Sequence, residues 1–439
     1  MQDERLNNLP ELDLLPAAER SNYQQHALVR LWNLAMHHPL TRRRFPPYHP
    51  EELTHENIFA RWSEIPPARS ADHLQCIIKE GKYQSFYEKE TNAPIVTSTG
   101  GSTSKPKLLV STYEEVLHDA RFQGRSYRLA GITAHDTVAT FGGSGTYATD
   151  YCIYHALAQI GCTIVPINDF RRAEENCEIL ETLRVNVLLT LPSKLYPLLS
   201  YLENQHKTLK NIRLIVTGGE PVSIQLKRRL INRLGTNLMF GSTFRTSDHG
   251  AIGYQCSHCE EGEYHLHEAL QYVELASSDA GSANELVVSN LHCSYMPIVR
   301  LRSGDRAKWS DDQGNCLCGR TSRKIRLLGR TADMIKIGGE KVSGRLFSEL
   351  PERVGIHENL VQMVVRTGSD GRDLVEIALD DSLRDRYEND LRSSLMANPT
   401  FARMVREDRI IGPIFVAARE NMEKTPGYGK LKVLRDMRR

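Results

Sequence analysis

The sequence predicts an α/β fold: a large N-terminal domain of stacked mixed and parallel sheets flanked by helices, then a small, mobile α+β C-terminal domain. Three observations carry this expectation. From Ala93, short β-branched runs (PIVTST, DTVATFG, CTIVPIN, VNVLLTLP, IRLIVTGG) alternate with amphipathic segments such as EENCEILETLR and SIQLKRRLINRL. Apolar strands spaced by helices argue for parallel βαβ units. After about residue 250 the texture becomes β-rich, with YHLHEALQYVEL, ANELVVSNL and MPIVRLRS. From about Thr331 a new set begins: MIKIGGEKVS, a helix near FSELPERV, the strands VQMVVRTG and LVEIALD, a helix through DRYENDLRSSLMA and a last strand, IIGPIFVA. That set is small enough to be a second domain. The expected domains are 1–330 and 331–439. Residues 1 to about 90 read as helical and aromatic-rich, broken at Pro46, Pro47, Pro66 and Pro67.

Charge and composition exclude several classes of function. With 56 Lys and Arg against 54 Asp and Glu in 439 residues, the net charge is +2, and no single-sign field invites nucleic acid or a membrane surface. Forty per cent hydrophobic and 25% charged residues exclude general disorder. No apolar run approaches the roughly 18 residues that a membrane helix requires, and MQDERLNNLPELDLLPAAER has no signal-peptide core. The expectation is a cytoplasmic protein without nucleic-acid or membrane partners; a homodimer stays open.

Nine cysteines are too few for a disulfide scaffold of this length. Cys76, Cys152, Cys162, Cys177 and Cys293 are scattered and read as buried thiols. Cys256 and Cys259 form a CxxC, Cys316 and Cys318 a CxC, and His258, His265 and His267 lie close to the first pair. In a reducing compartment such pairs suggest metal before disulfide. Four thiolates suit a closed, structural tetrahedral Zn²⁺ site, with a Cys3His set using His265 nearly equal; the zinc-binding insertion would span about 256–318.

The chemistry-bearing loop is Ser98 to Lys107, STGGSTSKPK, after the apolar PIV. Glycines permit tight turning, while hydroxyls, amides, Lys105 and Lys107 suit phosphate oxygens. It is no Walker A loop, because a GK ending with Ser or Thr is lacking. Further on come Gly218 Gly219 Glu220 after IRLIVT, Phe244 Arg245 Thr246 Ser247 Asp248, the run RLRSGD from Arg300 to Asp305, the run GRTADMIK from Gly329 to Lys336, and Tyr428 Gly429 Lys430.

In this order, over about residues 95 to 435, these motifs resemble those of the adenylate-forming superfamily, and the length, small last domain and Cys/His positions resemble its phenylacetate–CoA ligase branch most. FRTSD departs from the usual motif by phenylalanine for tyrosine, arginine for glycine and aspartate for glutamate. The resemblance implies ATP held by Thr99, Gly100, Gly101, Ser102, Thr103, Lys107, Gly218, Gly219, Glu220, Phe244, Asp305 and Arg330. Asp305 would take the ribose hydroxyls. Asp248 would help bind Mg²⁺, with Thr246 and Ser247 offering hydroxyls to phosphate, Asp333 as hinge and Lys430 as catalytic lysine.

The implied reaction is ATP-dependent activation of a carboxylic acid to an acyl-adenylate with release of pyrophosphate, followed by transfer to a thiol such as coenzyme A. Transfer to an amine, a carrier protein or a nitrogen nucleophile, and a nucleotide-binding module without catalysis, remain alternatives. The acid pocket is expected behind the adenylate, walled by Phe141, Gly142, Gly143, Tyr147 and Phe240, whose aromatics suit an aryl or arylalkyl acid.

Overall fold

Short apolar strands spaced by helices assemble into one mixed sheet. The computed structural model describes residues 12–42, 45, 53–69, 94–98, 108–141, 148–167, 172–219, 224–235, 239–276, 284–292, 296–314, 316–330, 334–338, 340–348, 350–356, 360–370, 372–417 and 434–437. Two compact units emerge, one reaching Leu328 and one beginning at Gly329. The first opens with helix α1 (Ala17–His37) and the two-residue strand β1 (Ala68–Arg69).

Next comes an antiparallel hairpin, β2 (Pro94–Ser98) with β3 (Leu108–Thr112), in register from Pro94↔Thr112 to Ser98↔Leu108. The glycine-rich segment therefore joins two strands of a hairpin and not a strand to a helix. Helix α2 (Tyr113–Leu129) starts at once because Thr112 and Glu115 form a capping box: the Thr112 hydroxyl accepts the Glu115 N–H at 3.1 Å and the Glu115 carboxylate accepts the Thr112 N–H at 2.9 Å.

Strands β4 (Thr137–Phe141), β5 (Thr163–Pro166), β6 (Val187–Thr190), β7 (Leu214–Gly218) and β8 (Met239–Thr246) then alternate with helices α3 (Ala148–Ile160), α4 (Ala173–Thr182), α5 (Tyr196–Asn204) and α6 (Ile224–Leu234). They pair parallel in the order β5-β4-β6-β7-β8. Both faces are covered, which is why β6 and β7 are apolar without alternation. On one face Leu180, Leu198, Leu202, Leu226 and Leu230 pack over Leu188 and Ile215. On the other Val116, Ala120, Tyr127, Ala156 and Leu157 pack over Val138, Val187 and Val216.

The sheet continues antiparallel through β9 (Gly250–Tyr254), β10 (Glu263–Leu266), β11 (Gln271–Ala276), β12 (Glu285–Asn290), β13 (Leu301–Trp309) and β14 (Lys324–Arg330). Counting β1, which pairs with β13, it has twelve strands, with the path β8-β9-β10-β14-β13-β12-β11 in this half. The mixed, partly parallel sheet expected from the sequence is this twelve-stranded path, with the β2–β3 hairpin as a separate two-stranded sheet. Its antiparallel half has its own core of Ile252, Leu266, Val273, Leu286, Val288 and Ile325. The N-terminal segment docks here through Trp32, Phe45 and Trp62 against Leu291 and Val299. Arg300 secures it, donating from Nη1 to the Ser63 carbonyl at 2.6 Å and from Nε to Glu274 at 3.0 Å.

The second unit holds the hairpin β15 (Met334–Ile337) and β16 (Glu340–Ser343), then β17 (Val361–Thr367), β18 (Asp373–Leu379), α7 (Asp381–Met396), α8 (Pro399–Arg406), β19 (Ile410–Ala417) and β20 (Leu434–Asp436). Its four-stranded sheet runs β19-β18-β17-β20. Val365, Ile377, Leu391, Leu395, Phe401 and Met404 fill a separate core. Among the described residues no helix is long and apolar enough to cross a membrane.

Candidate active site and metal centre

In open α/β sheets ligands bind beyond the carboxyl ends of the parallel strands, and the sequence motifs gather there. Strand β7 ends at Gly218, and Gly219 adopts φ +71, where a Cβ would lie 2.9 Å from the Leu191 side chain. Only glycine fits this turn without strain. Strand β8 delivers Thr246, Ser247 and Asp248. The Thr246 hydroxyl is engaged by His249, whose Nδ1 lies 2.8 Å away and whose backbone N–H donates to it at 3.2 Å. His249 Nε2 donates to the Leu301 carbonyl at 3.3 Å, which leaves Nδ1 to accept. Ser247 is exposed and Asp248 half-buried. This turn is therefore tied to the first residue of β13, the strand that carries Asp305.

Asp305 stands within β13 and is 8% exposed. Gly304 has φ +79 and falls where the β12–β13 register slips, between Glu285↔Arg306 and Val287↔Arg302. The motif is a β-bulge, which re-aims a side chain without ending the strand. Phe244 is buried with Ile252 and Leu266, its ring 5.7 Å from that of Tyr264. Arg330 closes β14 and Phe240 lies in β8, with side chains outside the described set. Thr99, Gly100, Gly101, Ser102, Thr103, Lys107, Gly142, Gly143, Tyr147, Glu220, Asp333 and Lys430 also lie outside the described residues.

A cavity of about 100 Å³ sits beside the Ser247–Asp248 turn, bordered by Thr97 of β2 and by β3, α2, Arg245 and Leu301. Its expected aromatic wall is not among the described lining residues. Phe141 is 2% exposed and packs with Val165 and Leu188 in the core beneath α4–α6, because consecutive strand side chains point to opposite faces. The cavity is instead edged by polar groups that the sequence reading passed over. Arg245 is ion-paired with Asp119 of α2, and that carboxylate also accepts the Ala251 N–H at 2.6 Å and the Cys152 thiol at 3.4 Å. The imidazoles of His118 and His292 are 4.6 Å apart. Burial, then Arg121, holds His118 down to about 4, and burial, then His118 itself, holds His292 down to about 3, so both are neutral at pH 7. Burial also pushes the Cys152 thiol up to about 12, which leaves it un-ionised. The one available signal was Arg245 in a position the resembling motif gives to glycine; Asp119 reads in sequence as a solvated helical acid.

The two cysteine pairs meet at the far ends of β9, β10 and β14. Cys256, His265, Cys316 and Cys318 place one ligand atom each within 4.8 Å of one another. Cys256 Sγ lies 3.6 Å from Cys316 Sγ and 3.6 Å from His265 Nε2, and Cys318 Sγ 3.5 Å from that nitrogen. A tetrahedron with metal–sulfur bonds of about 2.3 Å has edges of roughly 3.8 Å, so three thiols and one imidazole fit tetrahedral zinc. Cys259 Sγ is 3.6 Å from Cys256 Sγ but outside that group of four. His265 Nδ1 is 3.1 Å from the Ser322 hydroxyl, the kind of outer contact that orients a ligating ring.

The family described as AMP-binding enzyme matches residues 54–244. Phenylacetate-coenzyme A ligase of Pseudomonas putida is 26% identical over 349 residues, covering 75% of this chain and 76% of that protein. Phenylacetate-coenzyme A ligase of Escherichia coli (strain K12) is 22% identical, covering 60% and 61%. Among solved structures, 2-hydroxyisobutyryl-CoA ligase in the postadenylation state superposes with a TM-score of 0.72 at 17% identity, over 97% of this chain and 91% of that one. Ordered motifs, the mixed sheet and these relatives agree in supporting the adenylate-forming superfamily and its phenylacetate–CoA ligase-like branch.

Proposed function

We propose that the chain is an AMP-forming acyl–CoA ligase. A substrate carboxylate oxygen attacks the α-phosphorus of ATP, the bond to the β-phosphate bridge breaks and pyrophosphate leaves. A thiol, that of coenzyme A, then attacks the acyl carbon and AMP departs with the electron pair of the broken C–O bond. Such chemistry asks for positioning and charge neutralisation more than for a nucleophilic side chain. The single observation that carries the reading is the convergence, beyond the carboxyl ends of β7 and β8, of the Gly218-Gly219 turn, Ser247 and Asp248, tied through His249 to the strand bearing Asp305.

In this reading Asp305 accepts the ribose hydroxyls, Asp248 is an oxygen ligand for Mg²⁺, Ser247 faces the phosphate, and residues 331–439 form a lid that brings Lys430 to the carboxylate. The adjoining cavity takes the acid. Cys256, His265, Cys316 and Cys318 hold a structural zinc, a role supported by their closed, tetrahedral-sized donor set. Acid-dependent ATP/pyrophosphate exchange by the purified chain tests the reading. Exchange that rises with a cognate acid and is abolished by Asp305→Ala is the expected result. No exchange above background across aliphatic, hydroxylated and aromatic acids would remove it.

A further inference from the structure

The Ser247–Asp248 turn is gripped by side chains that the adenylation reading has not used. Strands β8 and β9 close on the pair Thr246↔Gly250, so Ser247, Asp248 and His249 form the turn between them. A short turn with an exposed Ser247 belongs ordinarily to the mobile parts of a fold. This one is held at its neck. Asp119 of α2 is ion-paired with Arg245, just before the closing pair, and accepts the N–H of Ala251, just after it, at 2.6 Å. Arg245 and Ala251 are register partners, so one carboxylate joins both sides of the hairpin. The Cys152 thiol of α3 donates to the same carboxylate at 3.4 Å and orients it. Gly250 makes this approach possible: at φ +75 it carries no Cβ, and one built there would lie 2.7 Å from Asp119 Oδ1.

A second grip comes from β11. Gln271, its first residue, is fully buried, and Nε2 donates to the His249 carbonyl at 2.7 Å and to the Ala251 carbonyl at 3.0 Å. An amide nitrogen has two protons, so both bonds form at once. Asn290 of β12 adds a donor to the His249 carbonyl at 3.3 Å. A turn ordered in advance spares its ligand the entropy of ordering it, and Mg²⁺ asks for near-ideal placement of its oxygen ligands.

We propose that Asp119 and Gln271 are positioning residues for nucleotide activation: they hold the Ser247–Asp248 turn in its working geometry before ATP arrives, and Asp248 depends on them for its hold on Mg²⁺. The inference rests on the adenylation reading above and deepens it. Asp119 acts through Arg245 and Ala251, and Gln271 through His249 and Ala251.

Two measurements on the full chain test it. Hydrogen–deuterium exchange without nucleotide, resolved at the Ala251 amide, reads the grip itself. That amide should exchange slowly in the wild-type chain and about tenfold or more faster in Asp119→Asn and Gln271→Met. The Mg²⁺ dependence of ATP/pyrophosphate exchange reads its consequence. Both variants should need about tenfold or more Mg²⁺ for half-maximal exchange and show a raised KM for ATP, within the roughly 10²-fold that a 1 Å misplacement can cost. Leu202→Ala, in the core on one face of the parallel strands, should melt lower and leave the Mg²⁺ midpoint in place, which separates positioning from general loss of stability. Rapid exchange of the wild-type Ala251 amide overturns the inference, as does a Mg²⁺ midpoint unmoved in the folded variants or moved equally by Leu202→Ala. Asp119→Asn leaves Arg245 with a poorly compensated charge; if it fails to fold, Gln271→Met, which strands no charge, gives the same two readings. No pyrophosphate exchange with any acid removes the adenylation reading and this inference with it, whereas normal Mg²⁺ dependence in the variants leaves adenylation standing.

Discussion

Asp305 stands in a bulge within β13, and this shapes what its removal should do under the adenylation reading. Gly304 at φ +79 lies where β13 carries two residues more than β12, and the Asp305 backbone N–H donates to the Ser303 hydroxyl at 2.9 Å, a contact independent of the carboxylate. Asp305→Ala is therefore expected to keep the strand, with a melting temperature close to wild type, while weakening ATP by about tenfold or more, since each hydrogen bond to a charged group is worth roughly 1.5–3 kcal/mol. Equilibrium nucleotide binding checks it, and unchanged affinity removes the ribose assignment. A second residue-scale prediction concerns pH. His118 and His292 have pKa values lowered to about 4 and about 3, mainly by burial, against about 6.5 in an unfolded chain. Below pH 6.5 the unfolded state binds these protons and the folded state does not. The stability they support is thus complete above about 6.5 and falls as pH drops toward 4. Thermal melts between pH 7.5 and 4.5 should show a declining midpoint, and His118→Phe should make the decline shallower. An equal slope in that variant would mean that the imidazole does not stay neutral in the fold. At this scale the sequence was partly legible. Motif order singles out Ser247, Asp248 and Asp305 as candidates. The Arg245–Asp119 wall was not legible, because it joins residues 126 positions apart through sheet-to-helix packing that no local pattern encodes.

The Cys256, His265, Cys316 and Cys318 cluster, the proposed zinc site, is set by strand pairing, an element-scale property. Strand β10 lies between β9 and β14, with His265 opposite both Tyr254 and Lys324. That register puts its imidazole beside the CxxC that follows β9 and the CxC that precedes β14. Spacing alone picks out both cysteine pairs; the register is what brings His265 to them, and it favours His265 over Cys259 in the proposed donor set. Outer contacts then join the centre to the N-terminal segment: Ser322 faces both His265 and the Tyr254 hydroxyl, Tyr254 donates to Asp13, and the Thr321 N–H donates to the Asp13 carbonyl at 2.6 Å. Binding free energy of a structural metal is folding free energy. Protein prepared without chelator should contain about one zinc per chain by elemental analysis. Cys316→Ser/Cys318→Ser should lose the metal and melt several degrees lower, and should also loosen the N-terminal segment to proteolysis. Cys259→Ser should retain zinc if His265 is the fourth ligand, whereas loss of zinc in Cys259→Ser with retention in His265→Ala would restore the four-thiolate set.

At the scale of the whole molecule, the second unit's own core of Phe347, Ile377, Leu391 and Phe401 gives it the integrity of a separately packed body. The alternation of strands and helices made the large unit legible, and the second burst of strands and helices after residue 330 made the small one legible. The motif lysine comes from this last stretch: Lys430 follows Gly429, on the far side of Asp333 from every other nucleotide motif. A group supplied from a body joined at one short segment is suited to serve one step and to withdraw for the next, with a few backbone dihedrals absorbing the change. If Lys430 neutralises the carboxylate and α-phosphate as they meet, Lys430→Ala should slow adenylation by about 10² to 10³, the usual loss when one preorganised charge donor is removed. Transfer to coenzyme A from acyl-adenylate supplied ready-made should stay near wild type. Asp333→Pro should give the complementary pattern, because proline fixes φ and removes a donor at the segment that must turn: adenylation persists and thioester formation fails. The two half-reactions, measured separately on both variants, decide between a swinging body and a fixed one. Equal losses in both steps for Lys430→Ala would make the lysine structural and pass the catalytic role to Lys432, the next cation along the same stretch.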